Sequence, residues 1–128
     1  MLTWAEIQEH VRAKYKLAED HEDGFKLVWR YDNERLQQIF VNCYAALGEA
    51  WCNFTSPACR RQDLDPATAL ERSLNFAVGS ICLDGDVYVV RYSAPIGSLR
   101  LPTFDLLLGV IASTADHLEE ELSGGDDF

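Results

Sequence analysis

Residues 78–92 decide the fold, and they read VGSICLDGDVYVVRY. Two β-rich runs, residues 78–83 and 87–92, flank the tripeptide Asp84-Gly85-Asp86. Aspartate and glycine tolerate the positive φ angles of a tight hairpin turn. The sequence therefore predicts two antiparallel neighbouring strands, and with them an antiparallel sheet against which the rest of the chain packs.

A helix is predicted directly before this hairpin. Asp65-Pro66 is a typical helix start, because the aspartate caps free N–H groups and a proline at the first position has no N–H to leave unpaired. Apolar residues then recur on one helical face over about three turns, at Ala67, Leu70, Leu74 and Ala77.

Three further strands are predicted upstream. Aromatic and apolar residues alternate along the first, and share one face: Phe25, Leu27, Trp29 and Tyr31. We expect helices to cover that row, which leaves Val28 on a half-wet face where a client or second subunit could lie. The second strand, around Ile39 and Val41, is apolar on both faces, so we place it centrally in the sheet.

Residues 50–55 form the predicted third strand. Ser56-Pro57 should end it, because proline cannot donate to a ladder. Trp51 and Phe54 project to opposite sides of this strand, so one of them should point outward and serve as a contact.

Helices are predicted at both ends of the domain. Thr3 and Glu6 form a capping box for a helix over residues 4–17, and the acidic residues 18–24 should be a loop. Thr103 caps the last helix, whose opposite side carries Asp116 and Glu119 and should face water. Its apolar stripe comprises Phe104, Leu107, Leu108, Ile111, Ala115, Leu118 and Leu122.

Leu106 and Val110 project away from that stripe. Either their own domain buries this half of the helix on both sides, or the pair docks a partner; local burial is the more common outcome for apolar surface.

The predicted order is α-β-β-β-α-β-β-α, an α+β domain with an antiparallel sheet and helices packed against it. Residues 1–122 form one domain, and residues 123–128 a flexible tail.

The 128 residues carry a formal charge of −10, from 21 acidic and 11 basic side chains. This charge repels phosphate backbones and anionic lipid, so we expect neither a nucleic-acid nor a membrane partner. A basic or exposed-apolar partner is favoured. The N-terminus lacks the pattern of a signal peptide, and the cysteines form no Cys-x-x-Cys pair, which together indicate a cytoplasmic protein with buried thiols.

No catalytic, cofactor or metal site is expected. Glycine-rich phosphate loops and the hydrolase elbow are missing from the sequence. An unrecognised enzyme site built on Cys52 or Cys59 with a histidine is the least favoured hypothesis, because nothing in the spacing supports it.

Two stretches carry a resemblance to a known family: ALERSLNF at residues 69–76, leading to the Asp84-Gly85 turn, and ADHLEEEL at residues 115–122. With the order of elements, the chain resembles class I type III secretion chaperones and the related YbjN-like proteins. The resemblance implies a homodimer that holds a client segment, without nucleotide, on apolar patches and exposed sheet edges. In such proteins the second helix and its neighbouring strands often build the dimer contact.

The expected function is therefore protein or peptide binding without catalysis. The alternative is a structural or regulatory subunit with one fixed folded partner. Our candidate partner or dimer contacts are Val28, Trp51, Phe54, Leu70, Leu74, Leu106 and Val110.

Overall fold

The sheet has six antiparallel strands in the order β1-β2-β3-β4-β6-β5. A computed structural model describes residues 1–122; the predicted tail, 123–128, lies outside the described residues. The strands are β1 (Leu17–Asp20), β2 (Gly24–Arg30), β3 (Leu36–Ala46), β4 (Glu49–Arg60), β5 (Ser80–Asp84) and β6 (Val87–Pro95). The α-helices are α1 (Trp4–Lys14), α2 (Pro66–Ser73) and α3 (Leu101–Leu122).

One face of this sheet and the helices make a single core. Ile7 of α1, Ala69 of α2 and Ile111 of α3 are buried together with strand residues, among them Phe54 and Val90, that the strand register places on one side. The row of the first predicted strand belongs to this face: Phe25 is buried and lies 6.4 Å, ring centre to ring centre, from Phe104. The predicted α+β class is confirmed.

The sequence-based prediction misses the strand β1. Residues 18–24 were predicted as a loop, but Leu17–Asp20 pairs with β2, with a register shift between Leu17 and Glu19. Helix α1 accordingly ends at Lys14, because Tyr15 takes an extended backbone conformation. Edge strands carry charged side chains more often than buried ones do, so β1 shows no apolar alternation.

Strand β4 does not end at Ser56-Pro57 as predicted, but continues to Arg60. The register with β6 shifts between Pro57 and Cys59, which marks a β-bulge. Proline is tolerated in a strand at such a bulge. The carbonyl of Pro57 accepts a hydrogen bond of 2.6 Å from Gln37 Nε2.

The predicted helix caps are only partly confirmed. Thr3 and Glu6 form the capping box of α1, and the Asp65 carboxylate accepts from the Thr68 N–H at 3.2 Å. Helix α2 is shorter than predicted and ends at Ser73. Helix α3 begins at Leu101 rather than after Thr103, since Pro102 fits a first helical turn that needs no N–H from it.

The acidic side of α3 contradicts the prediction that it faces water. Asp116 and Glu119 are buried, because Arg35 in the turn between β2 and β3 reaches both of them. Arg35 Nε lies 3.0 Å from Asp116 Oδ1, and Nη2 lies 3.3 Å from Glu119 Oε1. The turn thereby fixes the C-terminal half of α3 on the sheet.

Candidate protein-binding surfaces

The second face of the sheet carries the outward side chains of the strands, because the strand register places core residues such as Val41, Phe54 and Val90 on the other face. We call it the open face; it comprises the outward side chains of the strands, among them Val28, Phe40, Trp51 and Arg91. Val28 is 43% exposed and Phe40 is 39% exposed. Val28 thus lies on the wetter face, as predicted.

Trp51 and Phe54 occupy opposite sides of β4, and Trp51 is the outward one. Phe54 is fully buried, with its ring centre 5.3 Å from that of Phe104. Phe54 is therefore core and is not an accessible contact, which corrects the prediction for this residue. Trp51 is half-buried, and its indole N–H donates to the Ala46 carbonyl at 2.9 Å.

A polar ladder crosses the middle of the open face. Asn53 Nδ2 donates to Asn42 Oδ1 at 3.1 Å and to Thr55 Oγ1 at 2.9 Å. Ser93 Oγ donates to Asn53 Oδ1 at 3.0 Å. The two-residue spacing of Asn53 and Thr55 in a β-run indicates that they share a face, but nothing in the sequence marks them as a ladder. The ladder holds the side chains of this face in place.

Both edges of the sheet are poorly suited to pairing with another strand. At one edge, β1 is short and carries a bulge, Glu19 and Asp20. At the other edge, the N–H of Ile81 in β5 already donates to Ser73 Oγ of α2 at 2.7 Å. Short strands, charges, bulges and cover by a helix are the usual devices that prevent edge pairing.

Helix α2 turns its leucines outward. Leu70 is 72% exposed and Leu74, at its C-terminal cap, is 86% exposed, whereas Ala69 is the buried residue of this helix. The two leucines are four positions apart and so lie on one side of the helix. We call this pair the α2 surface.

A second apolar surface lies on α3. Leu106 is exposed and Val110 is half-buried, beside a shallow depression of about 440 Å³ that Gly109 and Ser113 also line. The sequence left two alternatives for Leu106 and Val110, burial by their own domain or docking of a partner, and the exposure of Leu106 shows that burial is wrong for this residue. It remains a candidate contact.

Asp105 ties the base of this surface to α1. Its carboxylate accepts hydrogen bonds from Tyr15 Oη at 2.7 Å and from Lys14 Nζ at 2.9 Å, and lies 2.9 Å from His10 Nε2. Burial acts to raise the pKa of Asp105, but these hydrogen bonds outweigh it and hold the pKa below its ordinary value. The site is an ionic anchor between two helices.

Cys52 and Cys59, the two thiols raised as candidate nucleophiles, are buried. Burial raises the pKa of Cys52 to about 12 and that of Cys59 to about 11, so neither is a thiolate at neutral pH. Among residues 1–122, no group of three histidine, cysteine or acidic side chains is placed to hold a metal ion. No helix in the same residues is long and apolar enough to cross a membrane.

The fold is similar to that of a chain in the solved structure of the HopA1–SchA chaperone–effector complex. The match has a TM-score of 0.61 and covers 89% of this chain and 88% of the other, at 18% sequence identity. No protein-family model and no curated protein matches the sequence. The comparison shows a secretion-chaperone-like fold, and membership of the YbjN-like branch stays a prediction.

Proposed function

We propose that this protein is a non-catalytic, chaperone-like binding module that forms a homodimer and holds a segment of a client protein. The exposure of Leu70 and Leu74 carries the proposal. Two adjacent leucines in water are unfavourable by about 1.5–3 kcal/mol each relative to burial. An eight-residue helix that turns them outward is typical of a helix that packs against a partner.

The fold similarity supports the same function. The matched structure contains a chaperone bound to an effector, and it covers nearly the whole of this chain. Dimerisation through the α2 surface also agrees with what the resemblance to class I secretion chaperones implies. A client then has the open face and the Leu106–Val110 surface available to it.

The client segment lies on a face of the sheet rather than along an edge. Edge pairing needs a row of free N–H and C=O groups, and Ser73 already occupies one such N–H on β5. The open face instead offers Val28 and Phe40 as partly exposed apolar groups. This refines the expectation that exposed sheet edges hold the client.

The double variant Leu70→Asp/Leu74→Asp tests the dimer. A two-fold interface buries both leucines of both copies. The double variant should therefore weaken the free energy of dimerisation by at least about 6 kcal/mol, which lowers the dimer affinity more than ten-thousandfold. Light scattering at micromolar concentration should give the mass of a dimer for wild type and of a monomer for the variant. Leu47→Asp is the matched control, because Leu47 is 88% exposed and lies in the β3–β4 turn.

Client binding is tested on the same preparations. The wild-type protein, purified from its own cells without nucleotide, should retain a client of which one segment is protected from protease. A monomeric wild type contradicts the dimer. One folded partner, bound without a protected segment, would instead favour a structural or regulatory subunit.

A further inference from the structure

The open face carries an arginine that has no ion-pair partner among residues 1–122, in a protein whose net charge is −10. Arg91 is exposed on β6, and no carboxylate of residues 1–122 forms an ion pair with it. Lys26, on the same face, differs because it pairs with Glu19 at 2.8 Å. The charge of Arg91 is therefore available to a ligand.

The strand register gives Arg91 a hydroxyl neighbour on each side. Thr55 of β4 and Ser80 of β5 lie directly opposite it. The Thr55 oxygen accepts from Asn53, which leaves its own O–H free to donate. A shallow depression of about 380 Å³ opens here, lined by Arg91 together with Ser80, Cys82 and Ser93. A guanidinium between two hydroxyl donors is suited to a carboxylate.

An apolar contact lies in the same row. Phe40 of β3 is the partner of Thr55, so it stands two strands from Arg91, or about 10 Å away. Its ring is partly exposed, and Lys26 Nζ lies 5.6 Å from the ring centre. A segment that crosses the face would thus meet a cationic position and then an aromatic one.

We propose that Arg91, with Thr55 and Ser80, receives the carboxylate of an aspartate or glutamate in the client segment, while Phe40 contacts an apolar side chain of the same segment. This inference rests on the proposed function and assigns its client chemistry. It differs from the expectation, drawn from net charge, of a basic partner.

The net charge does not oppose this assignment at short range. At physiological ionic strength, interactions between exposed charges are largely screened beyond about 8 Å. A carboxylate at hydrogen-bond distance from Arg91 therefore responds mainly to that guanidinium. The acidic remainder of the surface acts mostly on the rate of association.

The test uses three labelled peptides with the same apolar residues at alternate positions and glutamate, glutamine or lysine between them, each long enough to cross the sheet. Fluorescence anisotropy measures their affinity for the full-length protein. Wild type should bind the glutamate peptide most tightly. Arg91→Gln should weaken the binding of the glutamate peptide about tenfold, equivalent to about 1.4 kcal/mol. The affinity for the glutamine peptide should not change. Arg100→Gln, an exposed arginine just before α3, is the control.

The outcomes separate this inference from the proposed function. If no peptide binds wild type although the protein retains a client from its own cells, the inference is overturned and the proposed function stands; if no client is retained either, both are overturned. If peptides bind but glutamate has no advantage, or Arg91→Gln has no effect, the carboxylate site is wrong and peptide binding stands. If Arg91→Glu changes the mass of the dimer, a second copy occupies the face and the inference fails. Equal urea midpoints for wild type and variants confirm that each variant folds.

Discussion

Replacing Arg35 with methionine tests whether the β2–β3 turn fixes α3 on the sheet. The side chains of Asp116 and Glu119 are 6% and 0% exposed, and Arg35 contacts both. Methionine keeps much of the apolar part of the arginine side chain but removes the guanidinium. The two carboxylates then stay buried away from water without that positive charge. Breaking a buried ion pair in this way costs about 3–5 kcal/mol. That is a large part of the roughly 5–15 kcal/mol that stabilises a domain.

Urea unfolding followed by tryptophan fluorescence measures this loss. With a denaturant dependence of about 2 kcal/mol per molar urea, the midpoint should fall by about 1.5–2.5 M. Adding Asp116→Asn and Glu119→Gln to Arg35→Met should recover part of the loss, because the buried charges are then gone.

Arg12→Met is the matched control for this experiment. Arg12 makes two hydrogen bonds of 2.9 Å to Asp20, a better geometry than that of Arg35 with Glu119. Its pair is exposed, however, with side chains 49% and 41% accessible. An exposed pair contributes about 0–1 kcal/mol. If Arg35→Met costs no more than Arg12→Met, burial does not decide the strength of this contact and the reasoning is refuted.

Two further predictions concern titratable groups. Because the pKa of Asp105 is lowered in the folded protein, its ionised form adds stability at any pH above the ordinary aspartate pKa of about 3.9. This stability is lost as the pH falls through the folded-state pKa. The difference in urea midpoint between wild type and Asp105→Asn should therefore shrink below that pH. In a thiol titration of the native protein, Cys43 and Cys82 should react first, and Cys52 and Cys59 only on unfolding, because the latter two are buried; early reaction of Cys59 would contradict the structure.

Local signals predicted most of the fold. The Asp84-Gly85 turn gives a hairpin in which Gly85 has a φ of 60°, and Asp65 with Pro66 starts α2 at the expected residue. These features depend on a few neighbouring residues, so the sequence alone is enough to locate them.

Contacts between distant residues account for the errors. Asp116 and Glu119 read as a solvated helix side because their partner, Arg35, is 81 and 84 positions away. Strand β1 was missed because its polar side chains pair with Arg12 and Lys26 rather than with an apolar layer. A helical wheel or an alternation pattern contains neither kind of information.

Both α2 and α3 carry an apolar stripe at helical spacing, but only the stripe of α3 is buried, and this difference bears on function. The stripe of α3 is mostly buried, since this long helix crosses the sheet. Helix α2 packs at the β5 side of the sheet and buries only Ala69, so the leucines of its pattern stay in water. A helix of eight residues is not stable in isolation. An apolar stripe requires an apolar partner, but that partner need not belong to the same chain. The outward stripe of α2 therefore supports the proposed dimer contact.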